Sequence, residues 1–274
     1  MSHSPSQSLT TAPHVSLTLT HDPNTPKTYP QFILFGDSIT QGASHILQSS
    51  LADWYQRRLD IINRGFSGYT APAGYDTLVQ FFPCTPPTTT TGISQPRIQL
   101  LTVFFGANDA CVPGSPQHVP IATYKQSLRN ILEYEGLKAH GTQAILVVPP
   151  PVDEYQLAST DRTAAHTARY ADACREVAQE YSGLPVLDLW TIFMLKAGWA
   201  PGQQGPLIGS RAAPRNPVLD ELLSDGLHFT PAGYRLVFDE LVNLIVRGLP
   251  DHRPENLPQI FPDWRFKLGL VGNL

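Results

Sequence analysis

The 274-residue chain is short of charge: Asp, Glu, Lys and Arg make up 15% of it, against roughly 25% in ordinary soluble domains. Its formal net charge is −4 and it has no basic run, so it offers no electrostatic footprint for nucleic acid or an anionic lipid surface. Cysteine is scarce as well. Cys84, Cys111 and Cys174 are odd in number and form no C-x-x-C pair, which argues against a disulfide framework or a zinc site. No apolar run approaches the length of a membrane span. Met1-Ser2-His3-Ser4-Pro5 lacks the basic start and apolar stretch of a signal peptide. These shortages point to a small, largely neutral partner molecule and to a reduced compartment, with the cytoplasm as the default expectation.

Proline is plentiful, with 26 residues, about twice the usual share of roughly 5%. It crowds the N-terminus, 83–96, 149–151, 201–217 and the last stretch of the chain, so it marks loops and tails. Residues 1–29 are polar and rich in Ser, Thr and Pro, and are expected to form a flexible lead-in. The main domain is expected over 30–248, with a threonine-rich surface insert at 83–96 and a second Gly/Pro-rich loop at 201–217. The Pro-rich tail, 249–274, differs. Ile260, Phe261, Trp264 and Phe266 are too apolar for free solution, so the tail is expected to dock on the domain or to join two copies in a homodimer.

Between these loops, short apolar runs alternate with helical patterns. Gln31–Phe35, Asp60–Asn63, Leu100–Phe105, Ala144–Val148 and Val186–Leu189 are suited to buried parallel strands. Leu47, Leu51, Trp54, Tyr55 and Leu59 follow the first run at helical spacing. Tyr124, Leu128, Ile131 and Leu132 share one helical face; Thr167, Tyr170, Ala171, Cys174, Val177, Ala178 and Tyr181 share another. Thr230-Pro231 is an N-cap followed by proline in the first turn, opening a helix that turns Val237, Leu241, Leu244 and Ile245 inward. The alternation predicts an α/β fold: a three-layer α/β/α sandwich around a five-stranded parallel sheet in the flavodoxin-like order 2-1-3-4-5.

Five residues then stand out. Ser38 sits where the first strand would turn into a helix, and taken singly it is no more than an N-cap. Gly68 alone only permits a positive φ, and Asn108-Asp109 alone is a turn signal. Asp225 and His228 could supply two metal ligands, but no third partner stands at a convincing spacing. The predicted strand order changes this. Strand one lies between strands two and three, so Ser38, Gly68 and Asn108 gather at the carboxyl edge of neighbouring strands, beside the switch point where such sheets bind ligands. Asp225 and His228 precede the last helix and can lean over the same edge.

These residue types suit acyl transfer. A serine hydroxyl is a weak nucleophile until a base takes its proton, and an imidazole does so better when a carboxylate fixes its tautomer. Attack on an ester carbonyl creates an oxyanion that needs prepositioned donors. The N–H groups of Ser38 and Gly68 and the Asn108 amide can supply three. Activity is then expected to rise with pH as His228 loses its proton.

At this point the chain resembles the SGNH (GDSL-type) hydrolase family, whose four marker blocks carry Ser, Gly, Asn and His. They read here as Phe35-Gly36-Asp37-Ser38-Ile39-Thr40, Arg64-Gly65-Phe66-Ser67-Gly68-Tyr69-Thr70, Phe105-Gly106-Ala107-Asn108-Asp109 and Ser224-Asp225-Gly226-Leu227-His228-Phe229-Thr230-Pro231. Their wording is most similar to the isoamyl acetate-hydrolysing esterase branch, and the likeness runs from about Phe32 to Val246. The resemblance implies a serine esterase acting on small, short-chain carboxylic esters, needing no cofactor or metal. It also implies a triad of Ser38, Asp225 and His228, with oxyanion donors on Ser38, Gly68 and Asn108. Three other readings compete. Acyl transfer to an alcohol, or O-deacetylation of a carbohydrate, would use the same residues. An ordinary α/β-hydrolase would need a Gly-x-Ser-x-Gly elbow, which the chain does not contain. A flavodoxin-like module cradling phosphate on Gly36, Ser38, Thr40 and Gly42 would leave Asn108, Asp225 and His228 idle.

Overall fold

A computed structural model describes residues 27–87, 95–261 and 263–270. The expected lead-in before residue 27 and the threonine run of the 83–96 insert lie outside them. In chain order the elements are β1 (Gln31–Gly36), α1 (Ser38–Gln41), α2 (Leu47–Trp54), β2 (Asp60–Gly65), α3 (Ala71–Phe81), β3 (Ile98–Phe104), α4 (Ile121–Leu132), α5 (Glu135–His140) and β4 (Gln143–Val148). Then come α6 (Ala164–Gln179), β5 (Val186–Asp188), α7 (Leu189–Lys196), α8 (Pro217–Leu222), α9 (Pro231–Gly248) and α10 (Trp264–Lys267).

The strands form one parallel sheet in the order β2-β1-β3-β4-β5, as the alternation predicts. Its two faces bury opposite sets of side chains, because successive residues of a strand point opposite ways. Phe32 and Leu34 pack with Leu47 and Leu51 of α2 and with Val237, Leu241 and Ile245 of α9. Ile33 and Phe35 pack with Leu78 of α3, Leu128 and Ile131 of α4, and Tyr170 and Val177 of α6. Each such large apolar side chain contributes roughly 1.5–3 kcal/mol when fully buried.

The apolar-run reading misplaces one end. Leu189, read as strand, opens α7, where the Asp188 side chain caps the helix by accepting from Thr191 N. The helix is apolar on both sides because it closes the sheet edge: Leu189 and Phe193 join one core and Trp190 and Met194 the other. Phe105 lies one residue past β3, and Tyr181 lies just beyond α6.

The tail returns to the body at α2. Tyr55 donates its hydroxyl to His252 O at 2.8 Å, Ile260 N donates to Arg57 O at 3.2 Å, and Arg57 Nη2 donates to Phe261 O at 2.7 Å. These contacts end about there within the single chain, where Trp264 is 62% exposed. The Phe266 side chain lies outside the described residues.

Parallel register lines up the strand ends that matter. Gly36 pairs with Gly65 on one side and with Phe104 on the other. Ser38, Gly68 and Asn108 lie within a few residues of those ends, so the sheet delivers all three to one edge.

Candidate active site

Ser38 is the first residue of α1, and the Asp37 carboxylate caps that helix by accepting from Ile39 N at 2.9 Å. A residue in that position has no intrahelical partner for its own N–H. The Ser38 hydroxyl meets His228 Nε2 at 2.9 Å, and His228 Nδ1 meets Asp225 Oδ2 at 2.7 Å. His228 thus makes a contact through each of its two ring nitrogens. Among the described residues no group of three or more His, Cys, Asp or Glu is arranged to hold an ion.

The turn that carries Asp225 and His228 is built from its own backbone. Asp225 Oδ1 accepts from Leu227 N at 3.0 Å and from His228 N at 2.8 Å. Ser224 N donates to His228 O at 2.8 Å, closing the loop ahead of α9. Gly226 has φ +84°, and a Cβ there would collide with the Asp153 carbonyl oxygen. The Asp153 N–H in turn donates to Gly226 O at 2.9 Å. Partial burial works against ionising Asp225, but the N–H and ring of His228 and the N–H of Leu227 outweigh it. They hold its carboxyl below the usual carboxylate range. Its side chain is 54% exposed, so solvent screens its charge, while its contact with Nδ1 orients the His228 ring.

Across the edge, Asn108 is 4% exposed. Its Nδ2 donates to Tyr69 O at 2.9 Å, and its Oδ1 accepts from Arg162 Nη2 at 3.0 Å. An amide nitrogen has two hydrogens, so one remains for a ligand. Gly68 has φ +80°, a conformation that disfavours any Cβ. The neighbouring Ser67 N–H is spent on Gln41 Oε1 at 2.9 Å. Among the described residues the Gly68 N–H has no hydrogen-bond partner.

Two buried carboxyls lie beneath the site. Burial pushes Asp37 up to about 7, against the opposing pull of the Ile39 N–H and the charges of His228 and Arg162. Burial likewise pushes Asp109 up to about 7; the Ala71 N–H opposes the shift and the charge of Asp37 adds to it. Asp109 accepts from Ala71 N at 2.9 Å, holding the start of α3 against the Asn108 turn. The phosphate-cradle reading finds no open nest, since Thr40 is buried and the Gly42 N–H is spent on the carbonyls of Ser38 and Thr40.

All five residues singled out in the sequence therefore meet at one edge. Asp153 and Arg162 also reach this edge, and neither stands out in the sequence. The proline run 149–151 directly after β4 is the one signal that this segment lines the edge; Arg162 carries none, because its role depends on a partner 54 residues away.

The family model described as the GDSL-like Lipase/Acylhydrolase family matches residues 34–236. A GDSL esterase/lipase of Arabidopsis thaliana is 32% identical over 251 residues, covering 85% of this chain and 91% of that protein. The isoamyl acetate-hydrolyzing esterase of Saccharomyces cerevisiae is 29% identical over 266 residues, covering 90% and 98%. The human isoamyl acetate-hydrolyzing esterase 1 homolog is 31% identical over 250 residues, covering 86% and 88%. Among solved structures, the lipase/acylhydrolase of Enterococcus faecalis superposes with a TM-score of 0.55 at 23% identity, covering 84% of this chain and 98% of that one. An aryl esterase of M. smegmatis gives 0.54 at 16%, covering 80% and 100%. These last two likenesses concern the fold.

Proposed function

The chain belongs to the GDSL-like lipase/acylhydrolase family, and as a carboxylic ester hydrolase of that family we propose that it works through an acyl-enzyme on Ser38. His228 Nε2 takes the hydroxyl proton as Ser38 Oγ attacks the ester carbonyl. The oxyanion is held by the N–H groups of Ser38 and Gly68 and the free hydrogen of Asn108 Nδ2. The C–O bond to the alcohol breaks, and His228 returns its proton to the leaving oxygen. Water then repeats the sequence on the acyl group, releasing the acid and restoring the serine. Asp225 holds the ring in the required tautomer throughout.

The observation that carries this reading is the unbroken contact chain Ser38–His228–Asp225, at 2.9 Å and 2.7 Å. Ser38→Ala tests it. Turnover of a chromogenic acetate ester should vanish while circular dichroism stays unchanged, and retained turnover would place the nucleophile elsewhere. Preference for small, short acyl groups rests on the likeness to the yeast esterase, and a panel of acyl lengths measures it. Product analysis in mixed water and alcohol separates hydrolysis from transfer.

Two further expectations belong to the same reading. A cytoplasmic location fits the three free cysteines, and no helix among the described residues is long and apolar enough to cross a membrane. A homodimer through the tail is supported by the exposed Trp264, Leu268 and Leu270. Light scattering of the full chain and of Trp264→Asp would distinguish dimer from monomer.

A further inference from the structure

Among the described residues Arg162 is the one buried guanidinium, at 8% exposure, it touches Asn108, and no step of the proposed reaction uses it. It precedes the Thr163 cap of α6, and four of its five N–H groups are committed. Nε donates to Ala107 O at 3.1 Å, Nη1 to Asp161 Oδ2 at 3.0 Å, and Nη2 to Asn108 Oδ1 at 3.0 Å and Gln117 Oε1 at 3.3 Å. Gln117 passes the contact on: its Nε2 donates to Gly68 O at 2.8 Å. Asn108 Nδ2 donates to Tyr69 O, next to Gly68, at 2.9 Å. The contacts close a ring, a bracket around the two donors, that runs Arg162–Asn108–Tyr69–Gly68–Gln117 and back to Arg162.

We propose that Arg162 and Gln117 are positioning residues that lock the two non-serine oxyanion donors, Asn108 and Gly68, into one mutual geometry. The inference rests on the donor roles proposed above. The Asn108 amide has two orientations, and the ring permits only one. Flipped, it would set Nδ2 against the guanidinium and Oδ1 against the Tyr69 carbonyl, donor facing donor and acceptor facing acceptor. A cation on Oδ1 also draws electron density from the amide, which strengthens Nδ2–H as a donor. Gln117 does for Gly68 what Arg162 does for Asn108: it fixes the carbonyl of the residue whose N–H faces the ligand. Lysine cannot substitute for the arginine, because one ammonium cannot reach Ala107, Asn108 and Gln117 in a planar fork.

The alternative is that Arg162 acts only as a charge, paired with Asp161 and felt by the buried Asp37, and a double-mutant cycle separates the two roles. Arg162→Lys keeps the charge and loses the fork. It should lower kcat about 10-fold at nearly constant KM, a fraction of the roughly 10²–10³-fold that complete loss of a donor costs. In the Asn108→Ala background the same replacement should change kcat by less than about 3-fold, because the amide that it orients is gone. Equal losses in both backgrounds would overturn the bracket and leave the donor roles standing. An Asn108→Ala protein with unchanged kcat would instead overturn the donor roles, and the bracket with them. Should Arg162→Lys fail to fold, Gln117→Glu serves. It keeps the arginine contact but turns a carboxylate toward Gly68 O, so kcat should fall at constant KM; an unchanged kcat would overturn the bracket.

Discussion

The hydroxyl of Tyr234 donates to the carbonyl of Ile39 at 2.7 Å, joining α9, which follows the histidine, to α1, which carries the serine. The two residues are 195 positions apart. Phe229 lies against the Tyr234 ring and stacks on Phe104 and Phe193, so the far side of the His228 turn is anchored in aromatic packing. Tyr234→Phe would keep the ring and remove one hydrogen bond. Stability should fall by about 1–3 kcal/mol, the range for an unsatisfied buried acceptor, with a smaller loss in kcat as the Ser38–His228 spacing loosens. Urea denaturation and steady-state kinetics check the pair.

Asp225→Asn should lower kcat by about 10²-fold, near the low end of the roughly 10²–10⁴ that positioned acid–base groups contribute. The amide oxygen can still accept from Leu227 N and His228 N, leaving Nδ2 to face the ring. His228 Nδ1 must then accept, which puts the ring proton on Nε2, where the serine proton has to go. The modest size follows from the exposure of Asp225, whose charge water already screens. Unchanged kcat would mean that the ring keeps its tautomer without the carboxylate.

Asn108→Ala should lower kcat by about 10²–10³-fold and leave KM nearly unchanged, because an oxyanion donor, the role proposed for this amide, acts on charge that develops only in the transition state. A change confined to KM would make Asn108 a substrate-binding residue. The carbonyl of Tyr69 also loses a donor in this variant, so the thermal midpoint should be measured alongside.

Gly226→Ala tests the turn itself. The replacement forces a Cβ into the Asp153 carbonyl at φ +84°, and strain of this kind costs about 1–3 kcal/mol. Stability and kcat should fall together, since the displaced backbone carries both Asp225 and His228. Full activity would show that the turn relaxes without moving the ring.

Asp37 makes stability depend on pH. The folded chain holds its carboxyl proton up to about pH 7, whereas an unfolded aspartate loses it near 3.8. Across that window the folded state binds more protons than the unfolded state, so stability from this group falls as pH rises and levels off above it. Asp37→Asn removes the titration while its amide oxygen can still cap Ile39 N. Thermal midpoints at about pH 5 and about pH 7.5 should show a smaller fall in the variant than in the parent. An identical fall would mean that Asp37 is ionised throughout.

Much of this fold is legible in residue order because β1 to β4 are apolar runs and parallel register does the rest. Ser38, Gly68 and Asn108 follow strand ends that pair side by side, so the strand order brings them together without any detail of side chains. Asp225 and His228 are legible as a local turn that spaces the two side chains three residues apart. What escapes is apolar on both sides or bound at a distance. Leu189 continues an apolar run, yet it turns into α7 because Asp188 caps a helix there. Arg162 reads as an ordinary basic residue beside Asp161, and only the fold carries it to the Asn108 carboxamide. Trp264 is legible as apolar, but its residue type does not name the surface that covers it; in the single chain it stays largely exposed.

The central claim is that Ser38 forms the covalent intermediate, with His228 as its base. Incubation with a fluorophosphonate ester, followed by peptide mass spectrometry, tests it most directly. The expected result is a single phosphonyl adduct on the peptide containing Ser38, with labelling strongly slowed in His228→Ala. An adduct on a different serine, or continued ester hydrolysis by protein fully modified at Ser38, would contradict it.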